Sequence, residues 1–338
     1  MSMLIIENLS VRYDGAVILN DLSLTLEDDE ILCLLGASGS GKTTLLKSIA
    51  GLVELEDGSV TLGGRRIDRL PIEKRGIGMI FQDYALFPHL DVAANIGFGL
   101  RMAPQEKKAR VAELARMVRL EAFLGRYPHE LSGGQQQRVA IVRALACWPE
   151  CLLLDEPFSN IDTQVRAELI AEMRRLLKKN GIPAVFVTHS KEEAYLFADR
   201  LALLEGGRLL QCGPADELYR RPVNRFVADF MGRANYFEGP ESLALRPQGG
   251  GALLMARPEE LVLEEAAGTS PSSVGRLERT VLDSRFQGGH YLTEVSSAGG
   301  GVEFVETDRA FRPGERVLLS LLPGRGTGFG EEGASLRR

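Results

Sequence analysis

Nine residues, Gly36 to Thr44 (GASGSGKTT), have the types and spacing to hold a phosphate. Three glycines let backbone N–H groups curl around an anion, and a following helix N-terminus adds positive dipole at the same place. In the pattern GxxxxGK[ST], Lys42 reaches the β/γ-phosphates of a nucleotide and the Thr43 hydroxyl ligates Mg²⁺. A chance glycine turn would need no particular flanks. Here the apolar run Ile31-Leu32-Cys33-Leu34-Leu35 precedes the loop as a strand, and Leu45, Leu46, Ile49 and Leu52 follow at the spacing of one helix face.

Three further groups fit the same chemistry. The apolar run Cys151-Leu152-Leu153-Leu154 delivers Asp155 and Glu156 at its C-terminal end. That is the edge where open α/β sheets bind ligands, so Asp155 is placed to hold the Mg²⁺ shell and Glu156 to polarise a water for attack on the γ-phosphate. Ala184-Val185-Phe186-Val187 similarly delivers His189, which would stand at that edge and meet the γ-phosphate. Ser132-Gly133-Gly134 opens a helical stretch through Val139, Val142, Leu145 and Ala146, a second anion site capped by Ser132.

The elements that must position these groups read as α/β. Short strands occupy Met3 to Ile6, Leu9 to Tyr13 and Leu22 to Leu26, with a strand pair over residues 58 to 70 around Gly63-Gly64 and a strand from Gly78 to Phe81 that ends in Gln82. Val111, Leu114, Ala115 and Val118 form an amphipathic stripe, and Thr163 to Lys179 a helix closed by Asn180-Gly181. A helix from Lys191 to Ala198, a strand at Leu201 to Leu204 and a helical linker at Asp216 to Met231 complete the first domain. From Gly232 six short alternating strands separated by Gly, Pro and Ser (Leu253 to Ala256, Leu261 to Leu263, Thr280 to Phe286, Tyr291 to Val295, Val302 to Val305, Val317 to Leu321) make a small all-β module. Residues from about 323 to 338 are glycine-rich and expected to be disordered.

Composition excludes several classes. With 338 residues the chain has room for about two domains, and a net charge of −6 argues against a nucleic-acid-binding surface. No window approaches a membrane span, and the N-terminus MSMLIIENLS lacks a targeting pattern, so the expectation is a cytosolic protein that works on a membrane only through a partner. The four cysteines lie in apolar segments and are expected to be reduced, buried thiols; Cys147 and Cys151 are spaced like a metal pair, but Pro149 lies between them and no second pair exists.

Taken together these residues resemble the ATP-binding subunit of ABC transporters, from residue 3 to about 322. GASGSGKTT is similar to the Walker A motif, CLLLDE to Walker B, LSGGQQQR to the ABC signature, Gln82 to the Q-loop, Ser159 to Asp162 to the D-loop and His189 to the switch histidine. Tyr13, which by residue type alone reads as an ordinary strand aromatic, matches the aromatic that stacks on the adenine. The resemblance implies a P-loop ABC ATPase domain over residues 1–231, with a helical subdomain at about 88–148, then an OB-like, TOBE-type β domain over 232–322.

It also implies ATP and Mg²⁺ as cofactors. ATP would be held by Tyr13, by Gly36, Ala37, Ser38, Gly39, Ser40, Gly41, Lys42, Thr43 and Thr44, and by Ser132, Gly133, Gly134 and Gln135 of a second copy packed head to tail in a homodimer. Mg²⁺ would be held by Thr43, Gln82 and Asp155, and hydrolysis would fall to Glu156, His189 and Gln82. The loop from Gln82 to His89 would pass motion to integral-membrane permease subunits on the cytoplasmic side of the membrane, served by a solute-binding protein. The segment QCGPADELYRRPVNRFVADFMGRANYF looks most like the ferric-iron importers, with polyamine and sulfate subunits close by. ABC ATPases that act on DNA or ribosomes are the rival of a different class; they usually carry a coiled-coil insertion or two cassettes, whereas here there is one cassette and no such insertion. Ser190 stands where many relatives have Asp, and Asn160-Ile161 replaces the common Ala-Leu of the D-loop.

Overall fold

The computed structural model describes residues 2–82, 84–159, 161, 163–246, 253–266 and 275–330, in two units, Met1–Ala215 and Asp216–Arg338. The first unit opens on an antiparallel pair, β1 (Ser2–Tyr13) and β2 (Ala16–Glu27). In β2, Leu22, Leu24 and Leu26 are buried and the residues between them are exposed, the period-two pattern of a strand covered on one face. The two short strands expected at the N-terminus are one continuous β1. Asn8 takes a left-handed φ of 49° and the register shifts between Ile6 and Leu9, so a bulge absorbs the polar break.

Next come β3 (Ile31–Leu35), α1 (Lys42–Ala50), the hairpin of β4 (Asp57–Leu62) and β5 (Arg65–Arg66), and β6 (Ile77–Ile80). Gly51 closes α1 in the left-handed region at φ 89°, where its N–H reaches the Lys47 and Ser48 carbonyls. Helices α2 (Val92–Ile96), α3 (Pro104–Met117) and α4 (Gly133–Ala146) precede β7 (Cys151–Asp155). Then α5 (Thr163–Lys179), β8 (Ala184–Val187), α6 (Lys191–Phe197), β9 (Arg200–Glu205) and β10 (Arg208–Gly213) follow.

The strand order β10-β9-β3-β8-β7-β6 makes one sheet, parallel throughout except for the β9–β10 hairpin. All residues of β3 and β8 are buried, as strands covered on both faces must be. Register places the site: Leu34 lies beside Val187, and Val187 beside Asp155. The carboxyl ends of β3, β8 and β7 are therefore level, and the glycine loop, Thr188-His189 and Glu156 all leave one sheet edge. Leu45, Leu46 and Ile49 of α1 pack with Leu34, Leu153 and Val185 in one core and fix that edge against the helix.

The second unit contains α7 (Ala215–Arg220), α8 (Arg225–Met231), β11 (Asn235–Glu238), α9 (Gly239–Leu245) and β12 (Leu253–Ala256). Strands β13 (Leu261–Glu265), β14 (Arg276–Phe286), β15 (Tyr291–Ser296), β16 (Val302–Thr307), β17 (Arg316–Leu321) and β18 (Thr327–Phe329) complete it. They form two antiparallel sheets, β11-β12-β18 and β13-β17-β14-β15-β16, around a core that includes Phe237, Leu254, Val281, Val295, Val305 and Leu319.

Two expectations are corrected here. The second unit begins at Asp216 rather than 232, because the fully buried Arg257 guanidinium donates to the carbonyls of Tyr219, Ala228, Gly232 and Arg233 and so fastens both linker helices to the strands. The tail expected to be disordered from residue 323 contains β18, which pairs with Leu253–Met255 and buries Phe329; residues 331–338 lie outside the described residues. Among the described residues no helix is long and apolar enough to cross a membrane.

Candidate functional site

Between β3 and α1 the loop needs glycine for contact as well as conformation. A Cβ on Gly36 would stand 2.3 Å from the Leu204 carbonyl oxygen, and one on Gly41 would stand 2.6 Å from Leu19 Cδ2, both at positive φ. The loop is thus pressed against Leu204 of β9 and Leu19 of β2. A cleft of about 490 Å³ is lined among others by Ile18, Gly39, Lys42, Thr44, Glu156 and His189. Ile18, on β2, gave no signal in the sequence.

Lys42 Nζ donates to the carbonyls of Gly36 and Ala37 at 2.9 and 2.8 Å and lies 3.4 Å from Ser40 Oγ. Burial lowers its pKa, and the charges of Glu156 and Asp155 oppose that shift. Thr43 Oγ1 donates to Asp155 Oδ1 at 3.2 Å. Burial raises the Asp155 pKa, against the pull of that hydrogen bond and of Lys47 and Lys42. A hydroxyl beside a carboxylate is a hard oxygen pair that suits Mg²⁺, whose remaining ligands are ordinarily waters and substrate phosphates. Among the described residues no group of three or more His, Cys, Asp or Glu side chains gathers as a metal site of another kind.

Glu156 leaves β7 at φ 47°, and its N–H donates to the Val187 carbonyl at 3.0 Å, so the turn is tied to the neighbouring strand. Its Oε2 accepts from Gln82 Nε2 at 3.1 Å and stands 3.5 Å from His189 Nδ1. Gln82, Glu156 and His189, read from three separate stretches of sequence, thus meet over the loop.

Other expected residues are not brought to this cleft. Tyr13 is half exposed at the end of β1 and does not line it. Neither do Ser132, Gly133, Gly134 and Gln135, which form the N-terminus of α4. There Ser132 Oγ accepts from the Gln135 N–H while Gln135 Oε1 accepts from the Ser132 N–H, a reciprocal cap. The buried Gln137 links that helix to the turn after Glu156, its Nε2 donating to the Pro157 carbonyl at 2.8 Å.

Ser190, the departure beside the histidine, caps α6 by accepting from the Glu193 N–H at 3.2 Å. Of the D-loop departures, Asn160 lies outside the described residues, as does Asp162, and Ile161 is buried. All four cysteines are free thiols, but the expectation of burial is corrected for Cys147, which is exposed as the residue ending α4, and for Cys212, which is half-buried. Sequence reading missed Thr188, Arg166 and Glu193 behind the histidine. The pattern Ser190-x-x-Glu193, a helix-start signature, was the one available sign of the last.

Comparison with known proteins gives two family models in sequence order, "ABC transporter" on residues 19–159 and "TOBE domain" on residues 254–329. The spermidine/putrescine import ATP-binding protein PotA of Methylococcus capsulatus is 40% identical over 348 residues, covering 93% of this chain and 89% of the relative. PotA of Roseobacter denitrificans is 46% identical over 236 residues, and the chain spans 65% of that relative's length. In Salmonella typhimurium an ATP-binding protein named for 2-aminoethylphosphonate import, PhnT, is 45% identical over 238 residues, 69% of this chain and 64% of the relative. A solved dimer of the ATP-binding cassette MJ0796, in a post-hydrolysis state with ADP and Pi, superposes with a TM-score of 0.56 at 29% identity, over 63% of this chain and 98% of that one.

Proposed function

Because the chain belongs to the ABC transporter family of ATP-binding proteins, we propose that it is the ATP-hydrolysing subunit of an importer for a small aminoalkyl solute, in first place a polyamine. The observation that carries the hydrolytic half is the meeting of Gln82, Glu156 and His189 above Lys42 and the Thr43–Asp155 pair. Lys42 exchanges its loop carbonyls for β/γ-phosphate oxygens. Thr43 and Asp155, with Gln82, would hold Mg²⁺, which when bound neutralises phosphate charge. Glu156 accepts the proton of the attacking water, Gln82 fixes the carboxylate and His189 faces the γ-phosphate.

The α4 N-terminus, with Ser132 to Gln135 outside this cleft, serves the cleft of a second copy in a head-to-tail dimer, a reading supported by the dimeric state of the MJ0796 cassette. Tyr13 stacks on the adenine. The subunit sits on the cytoplasmic face of the membrane against integral permease partners, and a solute-binding protein delivers the cargo.

The solute reading shifts from ferric iron, toward which residues 211–237 leaned. Relatives matching 69% to 93% of the chain are named for spermidine/putrescine and 2-aminoethylphosphonate import, whose solutes share a primary ammonium on a short alkyl chain. The test is ATPase activity of the full chain reconstituted in proteoliposomes with its permease partners and solute-binding protein. Stimulation by spermidine or putrescine is expected; stimulation by Fe³⁺ or sulfate and not by either amine overturns the solute reading.

A further inference from the structure

The ring of His189 is 72% exposed, so its place 3.5 Å from Glu156 is set chiefly by the backbone that carries it. That backbone is locked from behind. Thr188 Oγ1 donates to Glu193 Oε2 at 2.5 Å, the Ser190 N–H donates to Thr188 Oγ1 at 3.0 Å, and the Glu193 N–H donates to Ser190 Oγ at 3.2 Å. These three bonds close a ring around residue 189, and both Thr188 and Glu193 are buried.

The other carboxylate oxygen of Glu193 faces the Arg166 guanidinium, Nη1 to Oε1 at 3.4 Å. From the same guanidinium, Nη2 donates to the Ile161 carbonyl at 2.8 Å. Ile161 belongs to the turn that leaves Glu156, in which the Ser159 N–H donates to the Glu156 carbonyl and the Ile161 N–H to that of Phe158. One cation therefore ties the segment carrying His189 to the segment carrying Glu156. A buried carboxylate with a hydroxyl on one oxygen and a guanidinium beside the other loses either partner at high cost, so the tie is stiff. Among the described residues Arg166 Nε is buried without a hydrogen-bond partner, so the guanidinium is one bond short of a full fork there.

We infer that Arg166 and Glu193 are positioning residues for hydrolysis, which set the separation of His189 from Glu156 and make it depend on the turn around Ile161. The inference rests on the ATPase reading above. Neither residue lines the cleft, and both reach it through the segments that carry His189 and Glu156.

The test is a double-mutant cycle on the full chain with Mg-ATP. Glu193→Gln keeps an acceptor for Thr188 and removes the charge opposite Arg166, while Arg166→Lys keeps the charge and gives up the fork. Each is expected to lower kcat on the order of 10- to 100-fold, the scale of an ångström-sized misplacement, with KM and calorimetric ATP affinity unchanged. In a His189→Ala background, followed by single turnover, the same substitutions should cost nothing further, because the group they position is gone. Losses that multiply in the double variants, or a kcat that does not move, overturn the inference and leave the ATPase reading intact. A wild-type chain that hydrolyses no ATP overturns both. If Glu193→Gln does not fold, the Arg166→Lys cycle decides alone.

Discussion

Gln82 Nε2 donates to Glu156 Oε2 at 3.1 Å across 74 positions of sequence. The bond holds the same carboxylate oxygen that stands 3.5 Å from His189 Nδ1. Glu156→Gln keeps the shape and much of the hydrogen bonding but cannot take a proton. Steady-state ATPase turnover should fall by roughly 10² or more, the scale of lost general-base catalysis, while ATP affinity survives. Turnover equal to wild type in this variant would falsify the role assigned to Glu156.

Asp155 yields a prediction with a definite sign. Burial raises its pKa, so the folded chain holds that proton more tightly than the unfolded chain does. Its contribution to stability is full below the unfolded pKa and is lost as pH rises through the folded one. The ionised carboxylate is therefore a cost at neutral pH. Asp155→Asn should raise the nucleotide-free melting temperature at neutral pH, and the difference should vanish in acid. Adding Mg-ATP should raise the melting temperature of the wild type more than that of the variant. A variant less stable than wild type at neutral pH would contradict the sign.

Arg257 carries the third prediction. Its guanidinium satisfies carbonyls of Tyr219, Ala228, Gly232 and Arg233, and its carbon Cζ lies 4.1 Å from the Tyr219 ring centroid. Arg257→Ala orphans several buried acceptors at once and should destabilise the second unit by about 3 kcal/mol or more. Arg257→Lys should recover little, since one ammonium cannot span acceptors placed for a planar fork. Denaturant unfolding followed by probes in each unit measures both, and a shift confined to the first unit would refute the assignment.

The parts legible in the sequence are those whose cause is local. The phosphate loop declares itself because strand, glycines and helix are contiguous, and Cys151–Asp155 and Ala184–Val187 do so because strands buried on both faces tolerate almost nothing polar. The meeting of Gln82, Glu156 and His189 needed the register of β6, β7 and β8, which no local pattern encodes. β18 was hidden for the same reason: Thr327-Gly328-Phe329 looks like a loop until Leu253–Met255 supplies the ladder. Arg257 drew no expectation at all, because burial of a guanidinium by carbonyls leaves no signature in residue type. Iron was favoured from a short linker segment that several importer branches share, whereas relatives matching a longer stretch of the chain are named for spermidine/putrescine and 2-aminoethylphosphonate import.

The contacts of Lys42 make the loop a threshold device. Its ammonium already has two carbonyl oxygens at 2.8 and 2.9 Å and the Ser40 hydroxyl at 3.4 Å, so an incoming anion competes with three neutral acceptors for the cation. A small monoanion offers too little charge to make the exchange worthwhile, whereas the adjacent phosphates of a triphosphate offer several oxygens at once. On these contacts the loop favours an anion of high charge density.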